Sequence, residues 1–283
     1  MSDFMHAVVR SAAYILLGIA LCYAGKRIRG LFSQWKRTDQ GIISGRNGAL
    51  AVSTGAYYLA VLLSLGGPIS WASDTLKTGF TEALVFGLMA VLLLNISMLI
   101  AEKTYLNAWK LAEGLKRGDL CSGLVEGAHY ICFGLMIMGA SWGDSGGPLV
   151  MFYFWCLGQV MLAAAVKAYF AVSRFNIREQ VLKGNFPAAL SLAGAVIAFG
   201  NIVRASVSGP FLGWTRSTLE SAGYFVFGSV ALLGARYLAD AWLFPRTTFN
   251  DEIFKHTPPN QAAGILDALL LIGVSTLLGW ALG

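Results

Sequence analysis

The sequence has little charge, since only 13% of its 283 residues are Asp, Glu, Lys or Arg, about half of the share expected of a soluble domain. Hydrophobic residues make up 56% of the chain, and the mean hydropathy is +0.63. Residues 48–69 and 83–101 contain no charge at all. Barrel strands need only about ten residues and alternate polar with apolar positions. These features exclude a soluble protein and predict an all-α, polytopic membrane protein.

Cysteine and histidine are also scarce, with four and three residues respectively. The cysteines lie in or beside apolar segments without a Cys-x-x-Cys pair, so we expect no disulfide framework. The sequence contains no phosphate-binding loop, no nucleophile elbow and no His-Glu-x-x-His helix. The longest connection, residues 26–47, is too short to be a catalytic domain. We therefore expect no enzyme activity, no metal and no cofactor.

Eight apolar segments are long enough to cross a membrane as helices. They are residues 6–25, 48–69, 81–101, 120–142, 148–168, 186–204, 221–243 and 261–282. Of the 21 Lys and Arg residues, only Arg10, Lys77, Arg204 and Arg216 lie on one side of these segments. Basic residues concentrate in cytoplasmic connections, so the other side is predicted to be cytoplasmic and both termini to lie outside. Because the basic residues are spread over short connections, the net charge of +6 does not indicate nucleic-acid binding.

The four cytoplasmic connections end alike, with Asn or Asp followed by small residues that open the next helix. These positions are Asn47, Asp119, Asn185 and Asn260. An Asn or Asp side chain caps the first turn of a helix, and small residues permit close helix contact. Four matching junctions predict four two-helix units in parallel, arranged as two four-helix repeats at residues 1–142 and 143–283.

Upstream of each cap, the connections mix aromatic with basic or polar residues, as around Trp35, Trp109, Phe175 and Phe249. Such amphipathic stretches are typical of short helices in the membrane interface.

Two acids lie inside the predicted spans at matching positions. Glu126 follows Asp119 by seven residues, and Asp267 follows Asn260 by seven residues. Seven residues are two helical turns, about 10 Å below the cap, so the acids are predicted to lie at equivalent depths. A charge near mid-bilayer costs about 2.5–3.5 kcal/mol on insertion scales, which makes each acid a functional candidate.

His129 and Cys132 share a helical stripe with Glu126. We therefore predict that Glu126, His129 and Asp267 bind protons or a cation. The alternatives are a hydrogen-bonded polar patch that fixes helix register and, less consistent with one usable histidine, a metal centre. Separately, Arg236 and Asp240 lie four residues apart, a spacing that predicts an intramembrane ion pair along one helix.

Three segments of the second half suggest a family. They are residues 234–238 (GARYL), Glu252 with Ile253, and residues 260–264 (NQAAG). Together they resemble the bacterial inner-membrane family catalogued as domain of unknown function 350, whose unit has four helices. The resemblance covers residues 8–142 and 148–283, with Asn95 standing where Arg236 stands in the other half. It implies a bacterial inner-membrane location and an association with envelope or membrane-stress gene clusters.

Two functions remain open at this point. The first is a small transport or permeation protein in which Glu126, Asp267 and His129 line a polar cavity and handle protons or a cation. The second is a non-transporting membrane scaffold whose basic, aromatic connections, with Lys36, Arg37 and Arg46, bind anionic lipid at the cytoplasmic face or a peripheral stress-response partner. The lipid bilayer is a partner in both cases, and homo-oligomerisation is left open.

Overall fold

The computed structural model describes residues 2–31, 38–73, 75–142, 147–173 and 175–282. Every regular element in these ranges is a helix, and eight helical segments there are long and apolar enough to span a membrane. The predicted all-α class with eight spans is therefore confirmed. Trp35, Lys36, Arg37 and the connection at 143–146, on which some predictions fall, lie outside the described residues.

The two halves of the chain have the same order of spans and short helices, except that the second span of the first half is broken into two helices. The described helices of the first half are α1 (Ser2–Arg29), α2 (Thr38–Ile43), α3 (Gly48–Ser64), α4 (Gly66–Trp71), α5 (Leu76–Lys103), α6 (Leu111–Arg117) and α7 (Leu120–Ala140). Those of the second half are α8 (Gly147–Val172), α9 (Ile177–Leu182), α10 (Phe186–Val207), α11 (Trp214–Leu243), α12 (Phe249–Phe254) and α13 (Gln261–Leu282). Helices α3 and α4 form one span with a break after Ser64.

The four spans that follow the short helices begin at the predicted capping residues. Asn47 accepts the Leu50 N–H, Asp119 those of Cys121 and Ser122, Asn185 that of Ala188, and Asn260 those of Ala262 and Ala263. Each cap satisfies donors that the first helical turn leaves without a partner. We call the side of the molecule with these caps the capped face.

Two of the caps also tie the capped face together. The Asn47 Nδ2 donates to the carbonyl of Leu115 in α6 at 2.7 Å. The Asn185 Nδ2 donates to the carbonyl of Ile253 in α12 at 3.0 Å. The partner lies 68 residues further along the chain in both cases, so the two halves share this internal geometry.

The capped spans form the centre of the molecule, where α3, α7, α10 and α13 pack side by side in that order. Glycines bring their backbones together. A Cβ atom on Gly123 of α7 would lie 2.7 Å from the Ala49 carbonyl oxygen, and one on Gly264 would lie 2.7 Å from Pro187 Cα. Small residues allow membrane helices to gain van der Waals contact at such short range, which explains why small residues follow each cap.

The connections contain short helices, as the amphipathic pattern predicts. Several of their apolar side chains pack on the bundle, whereas Ile43 of α2 and Leu182 of α9 are exposed. Trp109, Phe249 and Ile253 are buried within the protein. The Phe175 and Phe254 rings stack with centroids 4.8 Å apart. These side chains therefore stabilise the capped face and are not available for insertion into lipid.

The remaining spans surround the central row. Helix α11 exposes a broad apolar surface, with Val230, Leu238 and Trp242 among its exposed side chains. Helix α1 is similarly exposed along much of its length and packs against α5 and α3. Such surfaces are suited to lipid.

Candidate functional site

Asp267 of the second half lies in a complete ion pair. Its side chain is fully buried on α13, where Oδ1 accepts from Arg236 Nε at 2.7 Å and Oδ2 from Arg236 Nη2 at 3.1 Å. The Ser191 hydroxyl of α10 also donates to Oδ2. The Arg236 Nη2 donates a further hydrogen bond to Asn250 Oδ1 at 3.1 Å. A bidentate pair of this kind fixes both side chains and neutralises both charges.

Glu126 of the first half lies in a looser arrangement. Its side chain on α7 is also fully buried, and Oε2 accepts from the Ser53 hydroxyl at 2.6 Å. The Arg29 Nη2 donates to the same hydroxyl at 2.8 Å but lies 3.8 Å from Glu126 Oε2, beyond hydrogen-bonding distance. Among the described residues, nothing donates to Glu126 Oε1.

The Arg29 guanidinium also contacts two aromatic rings. It lies over the Tyr57 and Tyr130 rings, at 5.0 and 4.8 Å from their centroids. Asn95, at the position of Arg236 in the other half, donates to the Tyr57 hydroxyl at 3.0 Å. Cation–π contacts stabilise a buried arginine without neutralising it, so the first site depends less on its ion pair than the second.

The two sites are built from equivalent and non-equivalent parts. Ser53 and Ser191 each follow an asparagine cap by six residues, and both acids follow a cap by seven. The serine and the acid therefore occupy matching positions in the halves, as the predicted duplication requires. The arginines do not match, because Arg29 comes from the first span of its half and Arg236 from the third.

The predicted ion pair between Arg236 and Asp240 is corrected by the structure. Arg236 pairs across the helices with Asp267, while Asp240 Oδ1 accepts the backbone N–H of Phe249 at 2.7 Å. Both side chains form hydrogen bonds in this arrangement. Arg236 gains a bidentate carboxylate, and Asp240 satisfies a donor at the start of α12.

His129 makes no direct interaction with Glu126 among the described residues. Its Nδ1 is 2.7 Å from the Val125 carbonyl oxygen, and its ring lies beside Tyr105, with centroids 5.8 Å apart. Within the part of the chain that the structure describes, no hydrogen bond or ion pair joins His129 to Glu126. The same residues contain no group of three His, Cys, Asp or Glu side chains that could hold a metal ion.

The surroundings of Glu126 and Asp267 limit what these two acids can bind. Each carboxylate has an arginine beside it, and a fixed positive charge disfavours a second cation at the same place. Neither a cavity of about 790 Å³ at the face opposite the caps nor one of about 310 Å³ beside Arg236 is lined by Glu126 or Asp267. A cation shared between the two acids is therefore not supported by this conformation, whereas transfer of a proton to Glu126 remains compatible with it.

Sequence reasoning missed Arg29, Ser53 and Ser191 as parts of these sites. The acids follow their caps by seven residues. A comparison of the residues six positions after each cap would have found the two serines. Asn95 also gave an indication. It stands where Arg236 stands in the second half, so Glu126 needs a cation from another position. Nothing in the basic cluster at the end of α1 distinguishes Arg29 from its neighbours.

Comparison with known proteins agrees with two tandem units. A family model described as Domain of Unknown Function (DUF350) matches residues 3–141 and again residues 145–282. A UPF0719 transmembrane protein of Aquifex aeolicus (strain VF5) is 24% identical over 230 residues, which cover 80% of this chain and 84% of that protein. The UPF0719 transmembrane protein YshE of Bacillus subtilis (strain 168) is 24% identical over 122 residues, which cover 43% of this chain and 84% of that protein. No solved structure matches.

Proposed function

We infer a function from the premise that this chain belongs to the DUF350 family, carries two of its units in tandem and is an integral membrane protein. The function proposed is proton-linked transport in which Glu126 takes up and releases the proton. The observation that carries the proposal is the incomplete pairing of Glu126, a fully buried carboxylate with an arginine 3.8 Å away and one oxygen that has no hydrogen-bond partner in the described part of the chain.

A buried, incompletely paired carboxylate is costly, and protonation removes its charge. Once Glu126 is neutral, Arg29 loses the attraction that complements its contacts with the tyrosine rings. Arg29 is the last residue of α1, a peripheral helix that packs against α5 and α3. Weaker anchoring of Arg29, which keeps its contacts with the Ser53 hydroxyl and the tyrosine rings, would let α1 move more easily against its neighbours, which couples a proton to a conformational change.

The second half has a different part in this proposal. The bidentate Arg236–Asp267 pair holds α11 against α13, and separating it requires the loss of two charge-assisted hydrogen bonds. Asp267 is therefore assigned a structural role. The sequence had instead predicted that it binds protons or a cation. His129 lies outside the proposed proton site.

The proposal is tested by proton flux into proteoliposomes that contain a pH-sensitive dye and carry an imposed membrane potential. Glu126→Gln should abolish the flux, and Glu126→Asp should retain part of it. Glu220→Gln is the matched control, since Glu220 is a carboxylate at the opposite face in an ion pair with Arg216. Flux in Glu126→Gln equal to that of the unmodified protein, or no flux above empty liposomes in either, contradicts the proposal.

A second function, a non-transporting scaffold, is favoured by the charge of the capped face. Its exposed basic residues include Arg46, Lys110, Lys116 and Arg117, which suit anionic headgroups in the adjoining leaflet. Because the aromatic side chains there are buried, this binding would be electrostatic and weakened by salt. Lys116→Gln with Arg117→Gln should reduce the anionic lipid that remains bound during purification, measured by native mass spectrometry. Unchanged retention would count against the scaffold and against a peripheral stress-response partner recruited through such lipid.

A further inference from the structure

The cavity of about 790 Å³ lies where the two halves meet at the face opposite the caps. It is lined by the ends of α7, α8, α10, α11 and α13. Much of its wall is apolar, with Phe154, Phe211 and Trp280 as the large side chains. Its volume is within the range of pockets that hold small molecules.

Arg204 is the cationic side chain that lines this cavity among the described residues. It lies near the end of α10, and its Nε donates to Asn201 Oδ1 at 2.8 Å. No carboxylate of the described residues forms an ion pair with it. Its Nη groups donate to no described protein acceptor and are not enclosed. The guanidinium therefore retains donors and a full charge for a ligand.

Several other polar groups of the wall already have partners. Ser141, Ser206 and Ser208 donate to carbonyls of their own helices, and Ser217 accepts the Leu212 N–H. Glu220 also lines the cavity, but Arg216 Nε lies 2.8 Å from its Oε1 and neutralises it. Among the residues that the structure describes, nothing compensates the positive charge of Arg204, which lies beside an apolar wall.

A glycine of α13 leaves space for the Arg204 guanidinium. A Cβ atom on Gly279 would lie 2.6 Å from Arg204 Nη2, so the glycine permits the side chain to lie against the helix. Arg204 is three residues before the end of α10, about 5 Å inside the helix end. An anionic group that reaches Arg204 would therefore lie close to the helix end, and a chain attached to it could continue along the apolar wall.

We propose that this cavity binds an amphipathic anion, a carboxylate or phosphate joined to an apolar chain, with Arg204 as the ligand of its anionic group. The charge selects the headgroup, and the apolar wall accepts the chain. The site is separate from Glu126 and does not depend on the function proposed above.

The test uses the full-length protein in nanodiscs of zwitterionic phosphatidylcholine and measures equilibrium binding of radiolabelled dodecanoate. Saturable binding is expected, with Arg204→Gln weakening it at least about tenfold, the effect of losing a charge-assisted hydrogen bond. Arg204→Lys keeps the charge without the planar donor group and should weaken binding less. Lys77→Gln is the matched control, since it removes one positive charge at the same face from an exposed side chain at the start of α5 that does not line the cavity, and it should change binding less than twofold.

Competitors identify the source of the anion. Displacement by phosphatidylglycerol indicates a lipid headgroup, and failure of phosphatidylglycerol to displace dodecanoate indicates a free carboxylate; both support the site. Displacement by inorganic phosphate as effective as that by unlabelled dodecanoate would overturn it, because the apolar chain would then be unnecessary. Absence of saturable binding, or equal losses in Arg204→Gln and Lys77→Gln, would also overturn it. If Arg204→Gln is not monodisperse, Arg204→Lys decides, and unchanged affinity in that variant contradicts the assignment. Glu126→Gln should bind dodecanoate normally, which separates this outcome from that of the flux assay.

Discussion

Replacing Asp267 by Asn is expected to destabilise the protein far more than replacing Glu126 by Gln. Asp267 accepts two hydrogen bonds from Arg236 and one from Ser191. After the substitution Arg236, whose side chain is 14% exposed, would keep its charge without a carboxylate. Removal of one partner from a buried ion pair costs about 3–5 kcal/mol, and we expect a loss of this size in the free energy of unfolding.

Glu126→Gln should cost less because Arg29 is already supported by other groups. The Arg29 Nη2 lies 3.8 Å from Glu126 Oε2, so no direct hydrogen bond between these atoms is lost. Arg29 keeps the Ser53 hydroxyl and the two tyrosine rings. We expect a loss of about 1 kcal/mol, comparable with a single hydrogen bond.

Reversible unfolding in mixed micelles with an increasing fraction of sodium dodecyl sulfate, followed by near-ultraviolet circular dichroism, measures both losses. Arg236→Gln combined with Asp267→Asn should recover part of the stability, since the uncompensated charge is removed together with its partner. Equal losses in the two single variants, or a double variant as unstable as the sum of its single changes, would refute the assigned difference between the sites.

Three further predictions concern packing and the capped face. Asn185→Asp keeps an acceptor for the Ala188 N–H but removes the donor to the Ile253 carbonyl, so thermal unfolding should show a loss of about 1–2 kcal/mol; no loss would mean that this link is not stabilising. Gly264→Ala should cost about 1–3 kcal/mol because its Cβ meets Pro187, whereas Gly273→Ala on the same helix has open space and should be neutral or stabilising; equal effects would contradict the packing. The Asn260 amide, which donates to Glu252, holds the pKa of Glu252 below its ordinary value of 4.5, so its contribution to stability is complete above that value and lost as the pH falls through the lower folded pKa. Glu252→Gln should reduce this acid sensitivity in melting temperatures measured on both sides of 4.5, and an unchanged profile would exclude the assigned interaction.

Local chemistry allowed several features to be read from the sequence. The capped spans begin at Gly48, Leu120, Phe186 and Gln261, at or next to the predicted positions, because an Asn or Asp cap ends the preceding connection within one residue. Most of the other predicted span ends fall short of the helix ends, although those at 243 and 282 are correct and that at 142 lies two residues beyond the end of α7. Helix α1 continues to Arg29 and α11 begins at Trp214, because charged and polar residues at the membrane boundary remain helical while hydropathy falls.

The sequence by itself therefore determined the eight helices, the duplication and the matching depth of Glu126 and Asp267, all of which follow from hydropathy, capping and helical spacing. Only the tertiary structure decided which cation each acid meets. Arg236 lies one turn from Asp240 in sequence yet pairs with Asp267, and Arg29 reaches Ser53 from another helix. The partner of a long side chain depends on which helices pack together and how far they are rotated. Residue spacing along one helix does not contain that information.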